Sequence, residues 1–436
     1  MDTAIRLSLL GSTLIAVFCL ASCGSGGGGN TVTPPPPPTY TAKILYSFGL
    51  GLDGWGPNSL VFDAQGNLFG TTLKGGAYNQ GTVFKLTQQT AGTWTETILY
   101  SFCPNFNQNC PDGTGPSPGL VFDSAGNLYG TTTNGGAYAE LGVVFELSPQ
   151  KNGTWIETVL HSFGYAADGA EPTAGLTFDS AGNLYGTTYR GGTNLSGTVF
   201  GLSPGANGQW TEQILYNFCR LSNCADGESP TGGVLFDTVG NLYGTTSGGG
   251  LLPNAGTVFE LTPGAGNQWG ESVLYELPFV LSYPDLPGGT LVQEKSGNLY
   301  GATQGGDSGS GIDEGTVFEV SHSSASGWHG SIIYSLCSQS PNCADGAEPL
   351  AGVTVDQAGN VYGTTSAGGA EGWGVVFAVR PQGDGSWQGS TLYSFLGHDH
   401  GTDPGELIID SSGNLYGVAS GGNYGGGIVY KLTYTQ

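Results

Sequence analysis

The residues best suited to chemistry recur at matching places along the chain. Asp-Gly stands at Asp53, Asp112, Asp168, Asp226 and Asp345, generally followed by Pro, and Glu171, Glu228 and Glu348 add acid nearby. Tyr78, Tyr138, Trp373 and Tyr424 each follow a Gly-Gly pair in another set of polar stretches. Carboxylates beside exposed rings suit a sugar, by hydrogen bonding and stacking, or Ca²⁺ through the carboxylates. The same Asp-Gly pairs also suit a turn, in which Asp caps and Gly supplies the backbone geometry. Turn structure alone accounts for a motif present in five copies.

Three other strings resemble catalytic or metal-binding elements. His398-Asp399-His400 with Asp403 has the density of ligands a metal site needs. Asp307, Asp313 and Glu314 make an acidic loop, without the spacing of an EF-hand. Gly306-Asp307-Ser308-Gly309 echoes a serine-protease nucleophile segment, but no partner His segment accompanies it. No catalytic residue and no metal set is assigned from these strings; Ca²⁺ at the acidic loops is the one cofactor left open.

The elements that must position these residues come from an internal repeat. Gly-Asn-Leu-Tyr-Gly or a near copy begins at Gly66, Gly126, Gly182, Gly240, Gly297, Gly359 and Gly413, with spacings of 60, 56, 58, 57, 62 and 54. Each copy reads as four short strands, such as 119–123, 127–132, 143–147 and 155–163 in the second. β-branched and aromatic residues fill the strands, and Gly, Asn, Asp and Pro separate them. The last copy stops after its third strand, Ile428 to Leu432, while residues 42–48 at the other end copy the missing fourth. Such complementary ends close a ring and remove an exposed sheet edge. The expected fold is therefore all-β: a seven-bladed β-propeller of four-stranded antiparallel blades, closed by the N-terminal strand. An open β-solenoid is the alternative, and it needs no complementary ends.

The seven strings, the Gly-Gly that follows, the Gly-Thr-Val-Phe strand and the Leu-Tyr-Ser-Phe strand together resemble the GloVer tandem-repeat family. The likeness runs from about Lys43 to Leu432. It implies an exported bacterial protein with a surface anchor and brings no established activity. Copy five departs from the pattern at Ala302-Thr303 and Gln293-Glu294, and copy seven at Val418-Ala419.

Composition and the N-terminus bear on location. Of 436 residues 80 are Gly and 10% are charged, which excludes a helix bundle, while the 11% of aromatics excludes a disordered chain. The net charge is 10 − 34 = −24, and dispersed cations leave no basic footprint for nucleic acid. Arg6 and the apolar run Leu7 to Leu20 have the form of an export signal, over residues 1–22. Leu20-Ala21-Ser22-Cys23 resembles the bacterial lipobox, so Cys23 is expected to carry lipid and anchor the protein in a membrane. Gly24 is expected to favour the outer membrane in a Gram-negative host. Residues 23–40 are a Gly- and Pro-rich tether, and 41–436 the propeller. Cys103/Cys110, Cys219/Cys224 and Cys337/Cys343 occupy one position of the repeat, so local disulfides are expected; zinc is the rival, but no further ligands lie at suitable spacing.

The leading expectation is a monomeric surface lipoprotein whose propeller binds a glycan or a surface protein. The loops between blades and those between second and third strands share one face, which gathers the Asp, Glu, Tyr and Trp residues named above. A metal-dependent hydrolase or lyase at the channel mouth is the rival, weakened because Glu406 is the main polar residue of the channel-lining strands. A structural envelope protein is the third reading.

Overall fold

Short apolar runs broken by Gly, Asn and Asp at each end pair with their sequence neighbours as antiparallel meanders. In the computed structural model of the protein they form seven separate sheets. Described are residues 39–435, apart from 91, 106–108, 139–140, 165–166, 252–254, 278–286, 307–313 and 340–341. The export signal, Cys23, nearly all of the tether, Asp307 and Asp313, and the string from Asp307 to Gly309 lie outside these residues. Among the described residues there is no α-helix.

The blades span 54–101, 114–162, 177–217, 228–276, 287–335, 354–394 and 407–435. Two sheets have a fifth strand because the inner strand is split, as at Thr114–Pro116 and Val121–Phe122. The seventh sheet is completed by Thr39–Ser47, which pairs antiparallel with Ile428–Thr435. This is the seven-bladed β-propeller that the repeat implies, closed by its N-terminal strand.

Each pair of neighbouring blades encloses one apolar cluster. The cluster between the seventh and first blades joins Tyr416, Val418 and Val429 to Phe48, Leu60, Leu68, Phe84 and Leu86. The Phe of Leu-Tyr-Ser-Phe packs edge-on against the Phe of the next blade's third strand, with centroids 5.0 Å apart for Phe48 and Phe84 and 5.1 Å for Phe102 and Phe145. Such pairs add to the area they bury and set the spacing of the sheets.

The Gly of Leu-Tyr-Gly exists to admit that second ring. A Cβ at Gly363 would lie 2.4 Å from Phe377 Cζ. Gly363→Ala is expected to cost about 1–3 kcal/mol through overpacking. Urea unfolding checks this, and a loss below about 0.5 kcal/mol would contradict the packing argument.

The turns between first and second strands are built by their Asp. Asp63 Oδ1 accepts from the backbone N–H of Gln65 and Asn67 at 2.9 and 2.8 Å, and Oδ2 accepts from Asn67 Nδ2 at 2.7 Å. The arrangement recurs at Asp123, Asp179, Asp237, Asp356 and Asp410. In copy five Glu294 stands there, and Asn298 Nδ2 donates to Glu319 instead.

Candidate functional site

The second-to-third loops and the inter-blade loops meet on one face, here called the upper face. The Phe48 N–H donates to Gly427 O, and the Gly76 N–H to Asp53 O. Every outer strand contains a bulge, at Leu45, Leu99, Leu160, Leu215, Leu274, Ile333 and Leu392. A bulge re-aims the residue beside it. Here it turns Tyr46, Tyr100, Tyr216 and Tyr334 toward the loop that follows.

Those tyrosines meet the Asp-Gly carboxylates. Tyr100, Tyr216 and Tyr334 donate to Asp112, Asp226 and Asp345 at 2.9, 2.8 and 2.8 Å. The same carboxylates accept loop N–H groups from Cys103, Arg220, Leu221, Ser338 and Gln339. Asp112, Asp226 and Asp345 are only 6%, 0% and 1% exposed. Asp53 is held by Tyr46 and the Leu50 N–H, and Asp168 by His161 and the Gly164 N–H. All five acids thus brace the inter-blade loops; Asp112, Asp226 and Asp345 are buried there, and Asp53 and Asp168 half-buried.

A second set of acids lies behind them. Glu96, Glu157, Glu212 and Glu271, each two residues after the Trp of an outer strand, face the loop Asp of the preceding interface. All four keep an Oε1 that is sealed from solvent and accepts no hydrogen bond. Burial, then the neighbouring Asp53, Asp112 and Asp226, push the carboxyls of Glu96, Glu157 and Glu271 up to about 8, 8 and 7. Trp-x-Glu in four successive repeats was the sequence signal for this set. Copies five and six carry Gly330 and Gly389 there, where a Cβ would lie 2.0 and 2.2 Å from the Tyr275 and Tyr334 rings.

The exposed large apolar side chains gather on the upper face, among exposed acids such as Glu348, Glu371 and Asp399. Of fifteen exposed large hydrophobic residues among those described, all but Ile156 and Val239 sit in upper loops or at strand ends beside them. Tyr78, Tyr138, Trp373 and Tyr424 are 48%, 61%, 42% and 53% exposed and form an arc over blades six, seven, one and two. Leu50, Leu52, Leu350 and Leu396 flank it from the inter-blade loops. Exposed rings and leucines gathered on one face suit a contact surface.

The channel opens on the same face through a cavity of about 400 Å³, whose acids are Glu406 and Asp403. Glu406 also lines the deeper cavity of about 210 Å³. Burial raises its carboxyl, against a backbone hydrogen bond from Thr290 that lowers it. A Cβ at Gly289 would lie 2.9 Å from its Oε1, so glycine there leaves room for the carboxyl.

The remaining candidates are scattered. His398 rests against Trp373, His400 lines a surface cavity with Ala42 and Tyr393, and Asp403 faces the channel mouth. Glu171 pairs with Arg190 at 3.2 Å, and Glu348 is exposed. Glu228 lies beside Cys219 and Cys224, whose thiols are joined to each other. The other disulfides link Cys103 to Cys110 and Cys337 to Cys343. Three disulfides mark a protein that matures in an oxidising compartment, and so an exported one.

Fold and loops together define an exported, disulfide-bonded β-propeller whose upper loops expose aromatic rings and leucines. The chain belongs to the Gloeobacter/Verrucomicrobia repeat family, whose model matches residues 16–224 and 288–436. No curated protein matches its sequence. Among solved structures it is similar to the extracellular domain of a protein described as a one-component system of B. thetaiotaomicron (14% identity, TM-score 0.50), covering 87% of this chain and 40% of that one. It is also similar to PorZ, a surface component of the type-IX secretion system of Porphyromonas gingivalis (14%, TM-score 0.48), covering 89% of this chain and 48% of that one. A protein described as a gluconolactonase gives 11% identity and a TM-score of 0.42, covering 92% and 93%. The chain thus spans less than half of the first two proteins.

Proposed function

We propose that this protein is a lipid-anchored component of the bacterial cell surface that binds another envelope protein through its upper face. The concentration of exposed apolar side chains on that face carries the reading. A sugar site needs free carboxylates or amides beside its rings, whereas Asp112, Asp226 and Asp345 are buried and bonded to their own loops. Aromatic anchors flanked by leucines are instead the composition of the buried centre of a protein interface. The net charge of −24 favours a partner with a basic rim and speeds encounter at low salt. Cys23, followed by its tether, supplies the anchor.

Two measurements test this. Cys23→Ala is expected to move the protein from the membrane fraction to the soluble fraction; continued membrane association would contradict the anchor. Binding of the protein to envelope fragments of its host is expected to vanish after protease treatment of the fragments and to survive periodate. Loss with periodate and survival of protease would turn the reading to a glycan.

A further inference from the structure

One blade differs from the others in the residue that follows the bulge of its outer strand. Six outer strands carry Tyr46, Tyr100, Tyr216, Tyr275, Tyr334 and Tyr393 after the bulge, and the second blade carries His161. Its Nε2 lies 3.0 Å from Asp168 Oδ1 and 3.7 Å from Glu212 Oε1. The three ligand atoms all fall within 4.8 Å of one another. Glu212 Oε1 is sealed from solvent and accepts no hydrogen bond, while Asp168 Oδ2 is fixed by the Gly164 N–H at 2.6 Å.

We propose that His161, Asp168 and Glu212 form a binding site for a divalent first-row transition ion, best matched by Zn²⁺. Bonds of about 2.0–2.1 Å in a tetrahedron put neighbouring ligand atoms about 3.3 Å apart, and the observed separations of 3.0 and 3.7 Å bracket that value. One oxygen of Asp168 and one of Glu212 lie within 4.8 Å of each other. Two carboxylates that close repel unless a proton or a cation lies between them. A cation would also give the orphaned Glu212 oxygen a partner. The Gly164 N–H orients one ligand, and the edge of Phe163, with centroids 4.9 Å apart, steadies the imidazole. The nitrogen ligand selects for zinc-like ions over Ca²⁺, which takes oxygen. Three protein ligands leave one position for water or a donor from a partner.

The competing arrangement is a proton shared between the two carboxylates with no metal, and titration with metal ions separates the two. The full mature protein, stripped with EDTA, is titrated calorimetrically with Zn²⁺, Mn²⁺ and Ca²⁺, and its melting point is read with and without each. One Zn²⁺ per chain and a raised melting point are expected. His161→Tyr restores the residue of the other six blades, so the fold is expected to persist while Zn²⁺ affinity falls about 100-fold. Glu212→Gln is expected to act in the same direction. Absence of Zn²⁺ binding, binding that His161→Tyr leaves unchanged, or Ca²⁺ bound as tightly as Zn²⁺ would overturn the assignment.

Discussion

A chain that begins at Asp53, and so lacks the strand Thr39–Ser47, is expected to lose cooperative folding. That strand supplies the outer edge of the seventh blade. The same cut removes Phe48, which is fully buried against Phe84 and belongs to the cluster joining the last blade to the first. Loss of one such ring typically costs about 3–5 kcal/mol, against a total stability of about 5–15 kcal/mol for a native protein. The truncation also uncovers the backbone of Ile428–Thr435, an open edge that invites pairing between molecules. Circular dichroism on heating is expected to show a broad, early transition, and size exclusion an aggregate. A chain beginning at Pro38 is expected to melt like the intact protein. A monomer lacking residues 39–52 with an unchanged transition would contradict ring closure as the source of stability.

Stability is also expected to fall as pH rises from about 5 to 9. Glu96, Glu157 and Glu271 release their protons near pH 8, 8 and 7 in the folded protein, because burial and then the neighbouring Asp disfavour the charge; the ordinary value is 4.5. Between the ordinary and the raised values the folded state holds protons that the unfolded state has lost. Unfolding therefore becomes easier with each pH unit, by at most about 1.4 kcal/mol for each group. Partial solvent access reduces this ceiling. The effect is complete below about pH 4.5 and levels off above about pH 8. Urea midpoints at pH 5, 7 and 9 are expected to decline in that order. Glu96→Gln, Glu157→Gln and Glu271→Gln combined are expected to flatten the profile and stabilise the protein at pH 9. A profile that is flat or rising in the unsubstituted protein would show that these carboxyls are ionised throughout.

The repeat made the blades, their order and the closing strand legible, because each strand and turn obeys a local rule that seven copies repeat. The disulfides were legible for the same reason. The direction of the loop acids was not. Asp112 and Asp226 have the sequence surroundings of an exposed turn, and only the bulge beside Tyr100 and Tyr216 turns the hydroxyls that draw them inward. The burial of the Trp-x-Glu carboxyls is not legible either, because alternation alone makes a strand Glu look solvated; the neighbouring blade buries it. His161 is the one departure at the Tyr position of the Leu-Tyr-Ser-Phe-like strings, but Asp168 and Glu212 join it from two other elements, 7 and 51 residues further along.

Paired variants distinguish the upper face from the opposite face as the contact surface. Tyr78→Ser, Tyr138→Ser, Trp373→Ser and Tyr424→Ser are combined in one protein. Gln65→Ser, Ala125→Ser, Ala181→Ser and Val239→Ser, in the turns of the opposite face, are combined in another. Dissociation constants for host envelope fragments are then measured against the unsubstituted protein. The first set is expected to weaken binding about 100-fold, since buried aromatic anchors dominate such interfaces, and the second to leave it unchanged. Equal binding by all three proteins, or loss confined to the second set, would contradict the assignment.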